Sequence, residues 1–208
     1  MKVVIFDMDG TLIDSQVDIT ISINHIRQKH HLLEPLSSDY VVEAINRDQR
    51  NLARLFYGTE SYLERDKLLF EEHYFDQCIQ NTTLYKGIKE LLEELKTADV
   101  KLSVATNAPT KFAKRMLMHL DVVRSFDHII GADKVVHPKP HEEMLHHILQ
   151  RYGFVHKMDS AWMVGDNTKD MQAAENAGIS AVFATWGFSP DGIGDCIIKE
   201  PLELLDIL

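Results

Sequence analysis

Residues 3–11 of the chain read Val3-Val4-Ile5-Phe6-Asp7-Met8-Asp9-Gly10-Thr11. Four consecutive apolar residues of β-branched or aromatic type predict a strand buried on both faces, the kind found inside a parallel sheet. The strand stops at two carboxylates, and Gly10-Thr11 supplies the turn. In open parallel α/β sheets, ligands sit beyond the carboxyl ends of the strands, so Asp7 and Asp9 are expected where such folds keep their chemistry. Residues i and i+2 of a strand share a face, and two anions side by side repel unless a cation or a proton intervenes. Two readings are open at this point. Either one carboxylate holds a cation and attacks an electrophile while the other carries a proton, or the pair belongs to a solvated turn, where Asp and Gly are common.

The rest of the chain alternates. Residues 17–30, 37–45, 51–57 and 60–78 have helical spacing, and in the last of these Leu63, Leu68, Leu69 and Phe75 are candidates for burial. After residue 84 helices and strands take turns. Helices are expected over 87–96, 109–120, 141–152 and 169–176, and strands over 100–105, 126–130, 161–164 and 181–184. A last helix is expected over 202–208. Such alternation means a parallel sheet with right-handed crossovers. The fold class is α/β, a Rossmann-like parallel sheet of five or more strands, with the core over 1–15 and 82–208 and an inserted helical cap domain over 16–81.

The composition fits this picture. The 208 residues are 45% hydrophobic, enough for a core, and the formal net charge is −10. That charge argues against a nucleic-acid partner, which needs clustered Lys and Arg, but not against a small anionic substrate. No apolar run nears the roughly 18 residues of a membrane span, so no membrane partner is expected. Cys78 and Cys196 lie far apart without metal-ligand spacing, and no apolar signal core precedes the first strand; together these point to the cytoplasm.

Three strands end in polar groups: Asp7 and Asp9, Thr106 and Asn107, Asp166 and Asn167. Lys139 is pinned between Pro138 and Pro140. The order Asp7-Met8-Asp9-Gly10-Thr11, then Thr106-Asn107, then Lys139, then Gly165-Asp166-Asn167-Thr168-Lys169-Asp170 resembles the haloacid dehalogenase superfamily. The likeness runs over the whole chain, through Trp186-Gly187-Phe188 and 197–205, and is most similar to the phosphoglycolate phosphatase-like branch with a helical cap.

The resemblance implies a Mg²⁺-dependent phosphatase acting on a small phosphate monoester through an aspartyl-phosphate intermediate, as a monomer or homodimer. It implies Asp7 as nucleophile and Asp9 as general acid and then base. Thr106 and Asn107 become donors to the phosphoryl group, and Lys139 a catalytic cation that offsets the charge of phosphate and Asp7. Mg²⁺ would be held by Asp7, the Asp9 backbone carbonyl and Asp166. Asp170, expected one helical turn from Asp166, would support it directly or through water. A sugar phosphomutase would share this core, and a non-catalytic phosphate-binding regulator would have lost one of these aspartates. Asp9 argues against dehalogenation, since dehalogenases lack it.

Within the cap, Arg47, Arg50 and Arg54 share a face if their helix is continuous. Arg47 is the candidate for reading a substrate carboxylate or second phosphate; the alternative is that the three are solvated surface charges. Asn46-Arg47-Asp48 stands where related phosphatases carry a glycine-rich turn. The eleven histidines, the His30-His31 and His146-His147 pairs included, are expected on the surface.

Overall fold

The computed structural model of the chain describes every residue except 48, 49 and 190. It divides the chain into two compact units, one of Met1–Asp14 with Leu84–Leu208 and one of Ser15–Thr83.

The larger unit is built on strand β1 (Lys2–Phe6). Short strands β2 (Ile13–Asp14) and β3 (Thr83–Leu84) stand where the chain leaves and re-enters it. The sheet is completed by β4 (Lys101–Thr106), β5 (His128–Gly131), β6 (Ser160–Gly165), β7 (Ser180–Ala184) and β8 (Cys196–Ile198). Its order is β5-β4-β1-β6-β7-β8, with every pairing parallel. The centre of the sheet is therefore β1, bonded on both edges, with Phe6 level with Val104 on one side and Val164 on the other. Val3 to Phe6 have no exposed surface. Val3 and Ile5 join a core cluster with Met144, Ile148, Met163 and Phe183. Phe6, one residue out of phase, meets the edge of Phe126 at 6.4 Å.

The helices of this unit are α5 (Ile88–Thr97), α6 (Thr110–His119), α7 (Glu143–Tyr152) and α8 (Thr168–Ala177). In α5 the four apolar residues at helical spacing, Ile88, Leu91, Leu92 and Leu95, are all buried. Two expectations are corrected here, and one strand is added. The third strand begins at His128 and not at 126, because Val123–Ser125 makes a 3₁₀ turn first. The expected terminal helix is a 3₁₀ segment, Pro201–Asp206. Strand β8, a three-residue edge strand, has no counterpart among the expected elements. It is held by the Thr185 N–H on the Ile198 carbonyl (3.0 Å) and by Asp195, which accepts from the Ala181 N–H (2.9 Å).

The smaller unit is helical: α1 (Gln16–Ile26), α2 (Ser38–Asn46), α3 (Leu52–Tyr57) and α4 (Glu64–Gln77). Its core holds Ile23, Ile26, Val41, Ala44, Phe56 and Tyr57. The first helix stops short of residue 30, and a π-helical turn, Arg27–His31, follows. There the buried Arg27 guanidinium donates to the carbonyls of Glu34 and Phe56. In α4, Leu63, Leu68 and Phe75 are exposed, against expectation. Asp66, Leu69, Phe70 and Tyr74 turn inward instead, because 66, 70 and 74 lie on one helical stripe and 68 and 75 on another. His30 and His31 are not free surface residues either. Both bond the buried Asp66 carboxylate, at 2.8 and 2.9 Å. His146 is exposed and His147 half-buried.

The two ends of this unit are tied by Asp18, which is fully buried. Its carboxylate accepts from the Gln77 side chain (2.8 Å), from the Asn81 N–H and side chain (2.9 and 2.7 Å), and from the Thr82 N–H and hydroxyl (3.0 and 3.1 Å). Burial pushes the carboxyl pKa up, but the donors from Asn81, Gln77 and Thr82 outweigh it and hold it below the ordinary value. Its stabilisation is therefore present above the unfolded-state pKa of 3.8 and lost as pH falls through the lower folded value. Asp18→Ala should cost on the order of 3 kcal/mol at neutral pH, because buried donors lose a charged acceptor. The gap between variant and parent should narrow in acid. Urea titrations at neutral and acid pH check both; equal midpoints at neutral pH would refute the tie.

Candidate active site

The chain runs outward from β1 to β4 and β5, then crosses back and runs outward through β6, β7 and β8. The order thus reverses between β1 and β6, and crevices at such reversals are where open α/β sheets bind ligands. Asp7 follows β1 and Asp166 follows β6. The Asp7 N–H still donates to the Val164 carbonyl at 2.8 Å, so Asp7 is held at the last rung of the ladder.

The turn after Asp7 is tight. The N–H groups of Thr11, Leu12 and Ile13 all donate to the Met8 carbonyl, at 3.2, 2.9 and 3.0 Å. Gly10 has φ +85°, and a Cβ there would collide with the Asp166 carboxylate; only glycine meets both demands. Gly187 closes the other side, where a Cβ would strike the Gly10 carbonyl oxygen. Its neighbours grip the turn: Trp186 Nε1 donates to the Thr11 carbonyl (2.9 Å), and the Phe188 N–H to Asp166 Oδ2 (2.7 Å).

Asp7, Asp166 and Asp170 come together, with ligand oxygens all within 4.8 Å of one another, and all three are buried. Lys139 enters between them. Its Nζ donates to Asp7 Oδ1 at 2.7 Å and to Asp170 Oδ1 at 2.6 Å. Burial alone would lower the lysine pKa; the Asp170 and Asp7 carboxylates outweigh it and hold the ammonium well above its ordinary value. Asp166 is raised well above the carboxylate range, by burial first and then by the negative charges of Asp7 and Asp170. The Phe188 N–H and the Thr11 hydroxyl, which donates to Asp166 Oδ1 at 3.1 Å, pull the other way. Burial also raises Asp170, against the pull of Lys139. The raised pKa values show that this cluster cannot keep all three carboxylates ionised on one ammonium alone; fully ionised, it would carry two negative charges in excess. That excess, on oxygen donors alone, fits a hard divalent cation such as Mg²⁺.

Asp170 is the third residue of α8 and part of its capping box. Asp170 Oδ2 accepts from the Asn167 N–H at 3.1 Å, while the Asn167 side chain accepts from the start of the helix. Both Asp170 oxygens thus have protein partners, which suits supporting a cation from behind Lys139. Asp9 lies in the turn, bridged to Ile13, and its carboxylate is not part of the three-carboxylate group.

The side chain of Asn107 has a place that sequence reasoning did not foresee. Its amide donates to the Lys139 carbonyl (2.9 Å) and accepts from the Lys139 N–H (3.0 Å). It grips the lysine's backbone on both sides. The Thr106 hydroxyl accepts from the Ala108 N–H (3.0 Å), shaping the turn after β4. Sequence reasoning gave Thr11 only a place in the turn, not its bond to Asp166, and gave no role to Tyr85. The Tyr85 hydroxyl pKa is raised, by burial and then by the charges of Asp14, Asp166 and Asp9, which places it beside the site. Only its position just after the helical insert marks it in the sequence.

Arg47, Arg50 and Arg54 do not share one helix. Helix α2 ends at Asn46, α3 starts at Leu52, and residues 48 and 49 of this stretch lie outside the described residues. The exposed Arg47 guanidinium donates to Glu43 at 2.8 Å.

Residues 4–184 match the family model for haloacid dehalogenase-like hydrolases. The chain belongs to that family. It is 30% identical over 213 residues to a phosphoglycolate phosphatase of Aquifex aeolicus, covering all of this chain and 97% of that protein. It is 27% identical over 217 residues to an N-acetylmuramic acid 6-phosphate phosphatase of Pseudomonas aeruginosa, covering all of this chain and 95% of that one. The crystal structure of a predicted phosphoglycolate phosphatase from Haemophilus somnus superposes with a TM-score of 0.85, at 27% identity, over all of this chain and 97% of that one. With relatives of this kind along its whole length, this haloacid dehalogenase-like hydrolase stands among the family's phosphatases.

In such a hydrolase the Asn107 grip should matter through Lys139. Asn107→Ala should lower kcat about ten- to hundredfold, as loss of an orienting partner does, with little change in stability because the residue is exposed. Steady-state kinetics with a thermal melt check this; an unchanged kcat would show that Lys139 holds its place unaided.

Proposed function

We propose that this hydrolase cleaves small phosphate monoesters with Mg²⁺ through an aspartyl-phosphate on Asp7. The observation that carries the reading is the Asp7 carboxylate at the sheet's reversal point, with Oδ1 fixed 2.7 Å from the buried Lys139 ammonium. With one oxygen so held, the other is directed at an incoming phosphorus. A carboxylate is a weak nucleophile, and alignment supplies much of its reactivity.

In the first step an Asp7 oxygen bonds to phosphorus, the ester P–O bond breaks, and Asp9 gives its proton to the leaving oxygen. In the second, Asp9 takes a proton from water, whose oxygen attacks the same phosphorus. The acyl-phosphate P–O bond then breaks and releases inorganic phosphate and Asp7. Lys139 offsets the charge that Asp7 and the phosphoryl group share. Thr106 and the turn after it supply donors to the phosphoryl oxygens. The Asn107 side chain reaches them by holding Lys139. Asp7, Asp166 and the Asp9 carbonyl would hold Mg²⁺, with Asp170 behind them. When bound, the cation offsets phosphate charge and polarises the phosphoryl group.

The two relatives are named for esters of acids, glycolate and N-acetylmuramic acid. An arginine reading that carboxylate suits such substrates, and Arg47 is the candidate. Because its guanidinium already donates to Glu43, the contact exchanges one carboxylate partner for another. Arg47→Ala should then raise KM for the true substrate more than for an aryl phosphate; equal effects would leave Arg47 a surface charge.

The decisive test has two parts. Phosphate release should depend on Mg²⁺ across a panel of 2-phosphoglycolate, sugar phosphates, nucleotides and pyrophosphate. Asp7→Asn should lose at least about a thousandfold in kcat with its melting curve preserved. A substrate chiral at phosphorus should show overall retention, the result of two in-line displacements. Inversion would mean direct attack by water and would refute the Asp7 intermediate.

A further inference from the structure

The segment that carries Lys139 reads His137-Pro138-Lys139-Pro140-His141-Glu142-Glu143. We propose that His137, His141 and Glu143 form a second metal site, for a divalent transition metal of the zinc class, which clasps the loop on either side of Lys139. One ligand atom from each of the three lies within 4.8 Å of the others. His137 Nδ1 stands 3.2 Å from Glu143 Oε2, close to the edge of a tetrahedron built on bonds of about 2.0–2.1 Å. The rings of His137 and His141 stack with centroids 4.7 Å apart. Both are about half exposed or more (62% and 46%), so a small ring rotation brings the third donor in.

The carboxylate is aimed before any metal arrives. The Val136 N–H donates to Glu143 Oε1 at 3.0 Å and the His137 N–H to Oε2 at 2.9 Å. His141 Nδ1 accepts from the Glu143 N–H at 3.2 Å; its lone pair exchanges that long bond for the metal, while Nε2 keeps the ring proton. Such outer hydrogen bonds are what orient ligands in working metal sites. Two imidazoles and a carboxylate suit Zn²⁺, Ni²⁺ or Cu²⁺ and are poor ligands for Mg²⁺, which prefers the oxygen-only cluster of Asp7, Asp166 and Asp170. The two donor sets therefore sort cations by chemistry. Three protein ligands leave room for water on the metal.

The placement gives the site a purpose. Two ligands flank Lys139 at −2 and +2, and the third opens α7. A metal there pins the loop through the side chains flanking Lys139, while Asn107 grips the Lys139 backbone.

The test is calorimetric titration of the full chain with Zn²⁺ in saturating Mg²⁺, which keeps the aspartate cluster occupied. One equivalent should bind in the micromolar range and raise the melting temperature. His137→Ala and His141→Ala should each weaken that binding at least tenfold, while their melting curves without zinc match the parent's. His137→Gln serves as a second variant if His137→Ala fails to fold. Titrations of the variants that overlay the parent's, or no stoichiometric binding by the parent, would overturn the proposal. Neither result bears on the phosphatase reading, which rests on Asp7.

Discussion

The structure depends on one buried ammonium. Lys139 lies between Asp7 and Asp170 at 2.7 and 2.6 Å, and it joins three segments far apart in the chain. Asp7 belongs to the first strand, Lys139 to a loop between two prolines, Asp170 to the first turn of α8. Taking an ammonium out of water costs several kcal/mol, and only close, well-bonded opposite charges offset it. Here there are two, and the cost of burying them falls with the same contacts. Removing the lysine would leave three carboxylates facing one another in a place water hardly reaches. The restraint on Lys139 is thus a folding requirement of this edge of the sheet, apart from any part the lysine has in catalysis.

The remaining contacts at this edge make that arrangement possible. The sheet's order reverses between β1 and β6, so the loops after those two strands diverge and leave a gap. Two positions without side chains let the backbone fill part of it. Gly10 passes over the Asp166 carboxylate and Gly187 over the Gly10 carbonyl. Asp166 is fixed by the Thr11 hydroxyl and the Phe188 N–H, and neither donor neutralises it. The site is rigid in geometry and unbalanced in charge, which is the condition for electrostatic preorganisation.

The parts of this picture legible in the sequence share a cause. Burial on both faces wrote a continuous apolar run for β1, and helical spacing wrote α5. Four motifs in order marked Asp7, Lys139, Asp166 and Asp170, residue types that the resemblance to the family picks out. What was not legible depended on partners distant in sequence. Strand β8 has three residues and exists because β7 offers it an edge. The inward stripe of α4 includes Asp66, a charge that hydropathy places outside, because His30 and His31 come to meet it. The arginines at 47, 50 and 54 read as one face only on an unbroken helix, and α2 ends at Asn46. Asn107 was legible as a site residue, but its side chain works on the Lys139 backbone, a contact across 32 residues that no local pattern carries.

The charge imbalance has a thermodynamic corollary for binding. If the proposed function holds, a phosphate dianion approaching Asp7 adds like charge to a cluster whose carboxyl pKa values are already raised by crowding and burial, inside a medium that screens poorly. Lys139 offsets only part of that charge, since its ammonium is shared with Asp7 and Asp170. Whatever cation neutralises Asp7 and Asp166 must therefore favour phosphate, and by reciprocity phosphate must favour the cation by the same factor. On the proposed reading, affinity for the phosphoryl end of the substrate would then be set in the larger unit by this charge balance together with the donors of the turn after β4. It is common to any ester that fits, and it leaves discrimination among leaving groups to residues outside the cluster.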